Sequence, residues 1–99
     1  PQGGVYFVGI GGIGMSALAR YFKSKGVRVC GYDRTETSLT KALVSEGMEI
    51  TYTDDVSALP KNVRLVVYTP AIPAAHQGLQ WYQRNGYLVL KRSDVLGAI

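Results

Sequence analysis

The spacing of apolar positions changes several times along the chain, and each change marks an expected element. Residues 5 to 10, VYFVGI, are apolar without alternation, the pattern of a strand buried on both faces of a parallel sheet. Met15, Leu18, Ala19 and Phe22 then recur at i, i+3, i+4 and i+7, one face of a helix that Gly26 closes. VRVCGYD at 27 to 33 is β-branched and apolar and reads as a second strand, with Asp33 at its carboxyl end. Leu39, Ala42 and Leu43 mark a second helix ending at Gly47, EITY at 49 to 52 a short strand, and VRLVVYT at 63 to 69 a strongly apolar one. TPAIP at 69 to 73 holds two prolines, which remove donors and restrict their neighbours, so it is a loop. Leu79 and Tyr82, with Trp81 beside them, predict a third helix ending near Gly86, and YLVL at 87 to 90 is the last strand. SDVLGAI at 93 to 99 begins a further helix, with Ser93 as N-cap and Asp94 in its first turn.

Strands alternating with helices predict an α/β fold. The expected form is a Rossmann-like, doubly wound sheet of about five mainly parallel strands, with helices on both faces and right-handed crossovers. A chain of 99 residues, 46% of them hydrophobic, suits a single domain over 1–99. It has no apolar run long enough to span a bilayer and no signal-peptide order at its start, so a cytoplasmic protein without a membrane partner is expected. Cys30 is the only cysteine and His76 the only histidine, which excludes an internal disulfide and argues against a metal site of Cys and His ligands. Cys30 reads as a buried strand residue, and His76 as a surface or cap residue of the third helix rather than a catalyst. The net charge is +4, but the basic residues are scattered from Arg20 to Arg92. That argues against nucleic acid and for a small anionic ligand or an acidic partner domain.

Ligands of doubly wound sheets lie outside the carboxyl ends of the strands, where three segments fall. In GIGGIGMS at 9 to 16, Gly9, Gly11 and Gly14 match G-x-G-x-x-G. The same stretch has P-loop spacing but lacks the lysine that would neutralise a γ-phosphate. Between a buried strand and an amphipathic helix, such a loop offers the backbone N–H groups of Gly12, Ile13, Gly14 and Met15 to an anion, with the Ser16 hydroxyl as a further donor. Asp33 stands 19 positions after Gly14, near the roughly 20-residue offset of a ribose-binding carboxylate; it equally suits a turn or helix cap. Thr35 is either a ligand hydroxyl or the N-cap of a helix beginning near Glu36. The rigid TPAIP loop, with small Ala71, admits close backbone approach to a ligand or is a plain connection. Asp54 and Asp55 read as a solvated turn. No serine or cysteine nucleophile has a histidine at a motif spacing, so the chain is expected to bind rather than to catalyse. An NAD-binding domain of an oxidoreductase and a nucleotide-sensing regulatory domain both fit these residues.

The glycine loop joined to GMSALA resembles the opening of the Mur ligases, the ATP-dependent ligases of peptidoglycan biosynthesis. GYD at 31 to 33, LVVYTPAIP at 65 to 73 and LKRSDVLGAI at 90 to 99 extend the resemblance over essentially the whole chain. It is strongest to the branch that joins L-alanine to UDP-N-acetylmuramate, and weaker to the branch that recycles murein tripeptide, whose glycine loop differs. The resemblance implies the first of three domains, holding the UDP part of the substrate, with no catalytic residue, metal or cofactor of its own. ATP, Mg2+ and L-alanine would belong to central and C-terminal domains absent from this chain, the Gly-Lys-Thr loop for ATP falling beyond Ile99. Carried over by position, Gly11, Gly12, Ile13, Gly14, Met15 and Ser16 would hold the diphosphate, and Asp33 and Thr35 the uracil or ribose. The backbone of Thr69, Ala71 and Ile72 would close over the ligand. The chain departs from the family pattern at Tyr32, where Ser is common, and at Thr53 and Asp54, where Gly-His is common.

Overall fold

The computed structural model describes residues 3–98; Pro1, Gln2 and Ile99, the last position of the helix expected over 93 to 99, lie outside the described residues. In chain order the elements are β1 (Gly4–Val8), α1 (Ile13–Ser24), β2 (Val29–Tyr32), α2 (Ser38–Ser45), β3 (Glu49–Thr51), a 3-10 turn (Val56–Ala58), β4 (Val63–Tyr68), α3 (Gln77–Arg84), β5 (Val89–Lys91) and α4 (Arg92–Ala98). The strands form one sheet in the order β3-β2-β1-β4-β5, and every neighbouring pair is parallel. The doubly wound α/β expectation holds.

All five residues of β1 are buried, which is why their sequence shows no alternation. The pleat still divides them. Val5 and Phe7 enter a core with Met15, Leu18 and Ala19 of α1, Leu43 of α2 and Val95 of α4. Tyr6 and Val8 enter a second core with Leu79 and Tyr82 of α3 and Leu59 beyond the 3-10 turn. Tyr82 is fully buried, and its hydroxyl donates to the Pro60 carbonyl at 2.6 Å, so the large ring fills the core without leaving an unpaired polar atom. Cys30 is buried in β2 as expected, and burial pushes its thiol up to about 11.

The structure departs from the sequence reading at several points, β5, for example, running Val89–Lys91 rather than over 87 to 90. The N-cap of α2 is Thr37, not Thr35: Thr37 and Thr40 exchange bonds, Thr40 N–H to Thr37 Oγ1 at 3.1 Å and Thr37 N–H to Thr40 Oγ1 at 2.8 Å. That reciprocal pair satisfies two groups at once, which Thr35 cannot do. Ser93 lies inside α4 rather than capping it, because β5 runs into the helix without a loop. The 3-10 turn, capped by Asp55 accepting from Ser57 N–H at 3.0 Å, is too short to show a period.

Gly31 marks the tightest packing between β1 and β2. A Cβ there would stand 2.5 Å from the Phe7 carbonyl oxygen and 3.0 Å from Ile10 Cδ1. Gly31→Ala is therefore expected to destabilise the fold by about 1–3 kcal/mol, read as a lower urea midpoint at unchanged slope. An unchanged midpoint would show that the two strands can separate to admit a methyl group.

Candidate functional site

The chain leaves β1 toward β2 and later returns to β4 on the other side, so the sheet's switch point opens between the carboxyl ends of β1 and β4. The loop from Gly9 to Gly12 crosses this opening, and all four of its backbone amides are hydrogen-bonded. Gly9 and Ile10 N–H both donate to the Tyr32 carbonyl, at 2.8 and 2.9 Å, and Gly12 N–H donates to Gly9 O at 3.2 Å. Gly11 N–H donates to Asp33 Oδ2 at 2.8 Å. Gly9 has φ +88°, and a Cβ there would stand 3.0 Å from Ile72 Cδ1. Glycine alone meets both demands cheaply.

The amides left over are those of the first turn of α1. Its N-cap is Gly12, which has no side chain to cap with, and its first turn holds no acidic residue. Ile13, Gly14 and Met15 thus present N–H groups at the positive end of the helix. Two expectations need correction: the Gly12 amide is used within the loop, and the Ser16 hydroxyl is buried and donates to Ile13 O at 2.9 Å. The neighbouring helices differ from α1. Thr37 caps α2. At α3, Gln77 and Gly78 N–H donate to Asp54 Oδ2 and Oδ1 at 2.8 and 2.9 Å, and Leu79 N–H donates to His76 Nδ1 at 3.1 Å. Asp54 is therefore a long-range cap rather than part of a solvated turn.

Two adjoining cavities share Gly9, Asp33, Ala71 and Ile72. The one over the start of α1, about 390 Å3, adds Gly12, Gly14, Met15, Thr69 and Arg92. The other, about 460 Å3, adds Tyr32, Arg34, Asp54, Pro73, Ala75 and His76. Together they form a groove along the carboxyl edge of the sheet. It brings Gly12, Gly14, Met15, Asp33, Thr69, Ala71 and Ile72 together, whereas Gly11, Ile13, Ser16 and Thr35 do not line it. Thr35 is exposed and donates its N–H to Asp33 Oδ1 at 3.1 Å. Both Asp33 oxygens thus accept backbone bonds, the first role of this carboxylate being to hold two loops together. Arg34 and Arg92 were not singled out by the sequence. A cation directly after a strand that passes straight into a helix was the available signal, and it is readable only once the end of β5 is known.

His76 is the cap that was expected but is not a surface residue, its side chain being 7% exposed. Because Nδ1 accepts from Leu79, the proton lies on Nε2, which is buried without a hydrogen bond, 3.6 Å from Asp54 Oδ1. The Tyr32 ring meets the imidazole at 4.7 Å. Tyr32 and Asp54, two of the positions that depart from the family pattern, therefore meet through His76.

A profile described as "Mur ligase family, catalytic domain" matches residues 4–99. The chain belongs to the Mur ligase family. It is 53% identical over 100 residues to the UDP-N-acetylmuramate–L-alanine ligase of Porphyromonas gingivalis, covering 96% of this chain and 22% of that protein. To the enzyme of the same name from Cytophaga hutchinsonii it is 55% identical over 98 residues, covering 94% and 21%. The crystal structure of UDP-N-acetylmuramate-alanine ligase from Thermotoga maritima superposes with a TM-score of 0.88 at 29% identity, over 97% of this chain and 22% of that one. A murein peptide ligase from Psychrobacter arcticus shares the fold, with a TM-score of 0.85 at 21% identity. The chain thus spans about a fifth of the length of the relatives it matches. Membership in this family replaces the oxidoreductase and nucleotide-sensing alternatives that the glycine loop left open. Among the described residues, no helix is long and apolar enough to cross a membrane, and no group of three or more His, Cys, Asp or Glu could hold a metal ion.

Burial lowers the His76 pKa below its ordinary 6.5, the Asp54 carboxylate opposing part of the shift. Below pH 6.5 the unfolded chain takes up a proton that the folded cap resists, so this contribution to stability is complete above 6.5 and is lost as the pH falls through the window beneath it. Urea unfolding over about pH 5 to 8 should show stability rising with pH in that window. The slope should shrink in His76→Asn, whose amide oxygen can cap without titrating. Equal slopes in the two proteins would remove His76 from the effect.

Proposed function

We propose that this chain is the N-terminal, UDP-binding domain of an ATP-dependent ligase that joins L-alanine to UDP-N-acetylmuramate. The observation that carries the reading is the uncapped first turn of α1, opening into the switch-point groove of a Mur ligase family member. Its relatives at above 50% identity carry that enzyme's name. The diphosphate lies over Gly12 and accepts from the Ile13, Gly14 and Met15 amides, where the helix end and the absence of a side chain favour an anion. The nucleoside extends into the adjoining cavity between Tyr32 and the Ile72–Pro73 turn. Asp33 retains lone pairs there for a ribose hydroxyl or a base N–H, and Thr35, outside the groove, holds Asp33 through its backbone N–H. Thr69, Ala71 and Ile72 form the opposite wall.

This part of the enzyme binds and orients. His76 is committed to capping α3, and the groove holds no activated nucleophile. The bond-forming chemistry belongs to the remainder of the longer protein: the substrate carboxylate attacks the γ-phosphorus of ATP and ADP leaves, then the L-alanine amine attacks the acyl carbon and phosphate leaves. When bound in that remainder, Mg2+ would offset the phosphate charge. With ATP and a nucleotide sugar as substrates, a cytoplasmic enzyme is part of the same proposal.

Gly12 is the discriminating position. A Cβ there would meet nothing closer than Gly9 O at 3.6 Å, and the extended backbone, φ −67° and ψ 150°, accepts a β-branched residue. Gly12→Val should cost no more than about 1 kcal/mol of stability, from replacing a favourable N-cap residue, while lowering affinity for UDP and UDP-N-acetylmuramate at least about 10-fold, measured by NMR titration. Preference for NAD over both UDP ligands in the wild-type chain would overturn the proposal.

A further inference from the structure

We propose that Arg92 is the cation of the phosphate site and sets its preference for a diphosphate over an uncharged nucleoside. The inference rests on the reading that a UDP-bearing ligand occupies the groove. Arg92 lines the same cavity as Gly12, Gly14, Met15 and the loop after β4, although it comes from the opposite end of the chain. Its guanidinium packs against Gly14: a Cβ on that glycine would stand 2.9 Å from Nη1, 3.1 Å from Cζ and 3.4 Å from Nε. Any side chain at 14 would displace the cation, so the glycine has a use that the loop motif does not explain.

The contrast with two other arginines is the second observation. Arg20 and Arg28 each make two hydrogen bonds to a carboxylate, on Glu46 and Glu49. Among the described residues no acceptor takes a hydrogen bond from Arg92 and no carboxylate pairs with it, although it is half-buried. A partly desolvated charge without a partner is unfavourable in the free protein and is offset when an anion arrives. The planar fork matches two phosphate oxygens at once. Position is fixed by the fold: β5 passes into α4 with no loop, so the sheet edge delivers Arg92 to the helix end that offers the free amides. Among the described residues the one carboxylate lining this cavity, Asp33, is held by the Gly11 and Thr35 amides.

The test titrates UDP, inorganic pyrophosphate and uridine into the wild-type chain and into Arg92→Ala, Arg92→Gln and Arg92→Lys, following backbone amide shifts. Arg92→Ala and Arg92→Gln are expected to lose about 10- to 100-fold in affinity for UDP and pyrophosphate and to keep wild-type affinity for uridine. Gln retains much of the stem, so a loss there is not a packing effect. Arg92→Lys should recover only part, since an ammonium supplies charge without the fork. If the wild type binds UDP and both neutral variants bind it equally well, Arg92 has no such role and the UDP reading stands. Equal proportional losses for UDP and uridine also overturn the proposal, by showing a structural effect. Pyrophosphate binding that depends on Arg92, without UDP binding, upholds the anion site and removes the UDP reading. No anion binding by the wild type removes both.

Discussion

The groove depends on one hydrogen bond, from the Gly11 amide to the Asp33 carboxylate at 2.8 Å. β1 is buried on both faces and must turn out of the sheet within a few residues, through Gly9 at φ +88°. Each amide on that turn needs an acceptor. Tyr32 O takes two, and Asp33 takes the third while also accepting from Thr35. The end of β2 thus holds the exit of β1 in place, and α1 starts from a fixed point with its first amides facing outward. Without that tie the glycines would give a flexible turn rather than a preformed cradle.

Capping separates α2 and α3 from α1. A side-chain cap stabilises a helix by about 1 kcal/mol, and both α2 and α3 have one, α3 taking two carboxylate oxygens and an imidazole nitrogen. α1 does without. Arg92 follows the same logic in charge, since two other arginines of the chain are engaged by glutamates. Stability is thus left unclaimed in two places around one cavity, which is the arrangement the proposed diphosphate site rests on.

The scaffold is shared more widely than its decoration. The murein peptide ligase superposes at 21% identity, so a parallel sheet with this strand order tolerates extensive replacement of side chains. The end of the groove away from α1 is built from one packed set of side chains. Tyr32, Asp54 and His76 contact one another in series, and Asp54 and His76 together close the start of α3. Two of the positions that depart from the expected family pattern, Tyr32 and Asp54, are thus coupled through the His76 side chain.

Much of this was legible in the sequence. The alternation of elements, the apolar stretch at 5 to 10, the helix face of Met15, Leu18 and Ala19, and the glycine loop between them are local properties, set by side-chain period and by glycine's access to φ > 0. Neighbours in the chain suffice to specify them, and the structure keeps them all. What only the tertiary structure decided depends on partners far apart in sequence. Asp33 bonds Gly11, Asp54 caps a helix that begins at Gln77, and Arg92 lies on Gly14. Ser16 has the right chemistry for a ligand, but its rotamer returns the hydroxyl to Ile13. A residue type states what a side chain can offer; whether the offer is free, used or buried is settled by which distant backbone groups must be satisfied when the sheet closes.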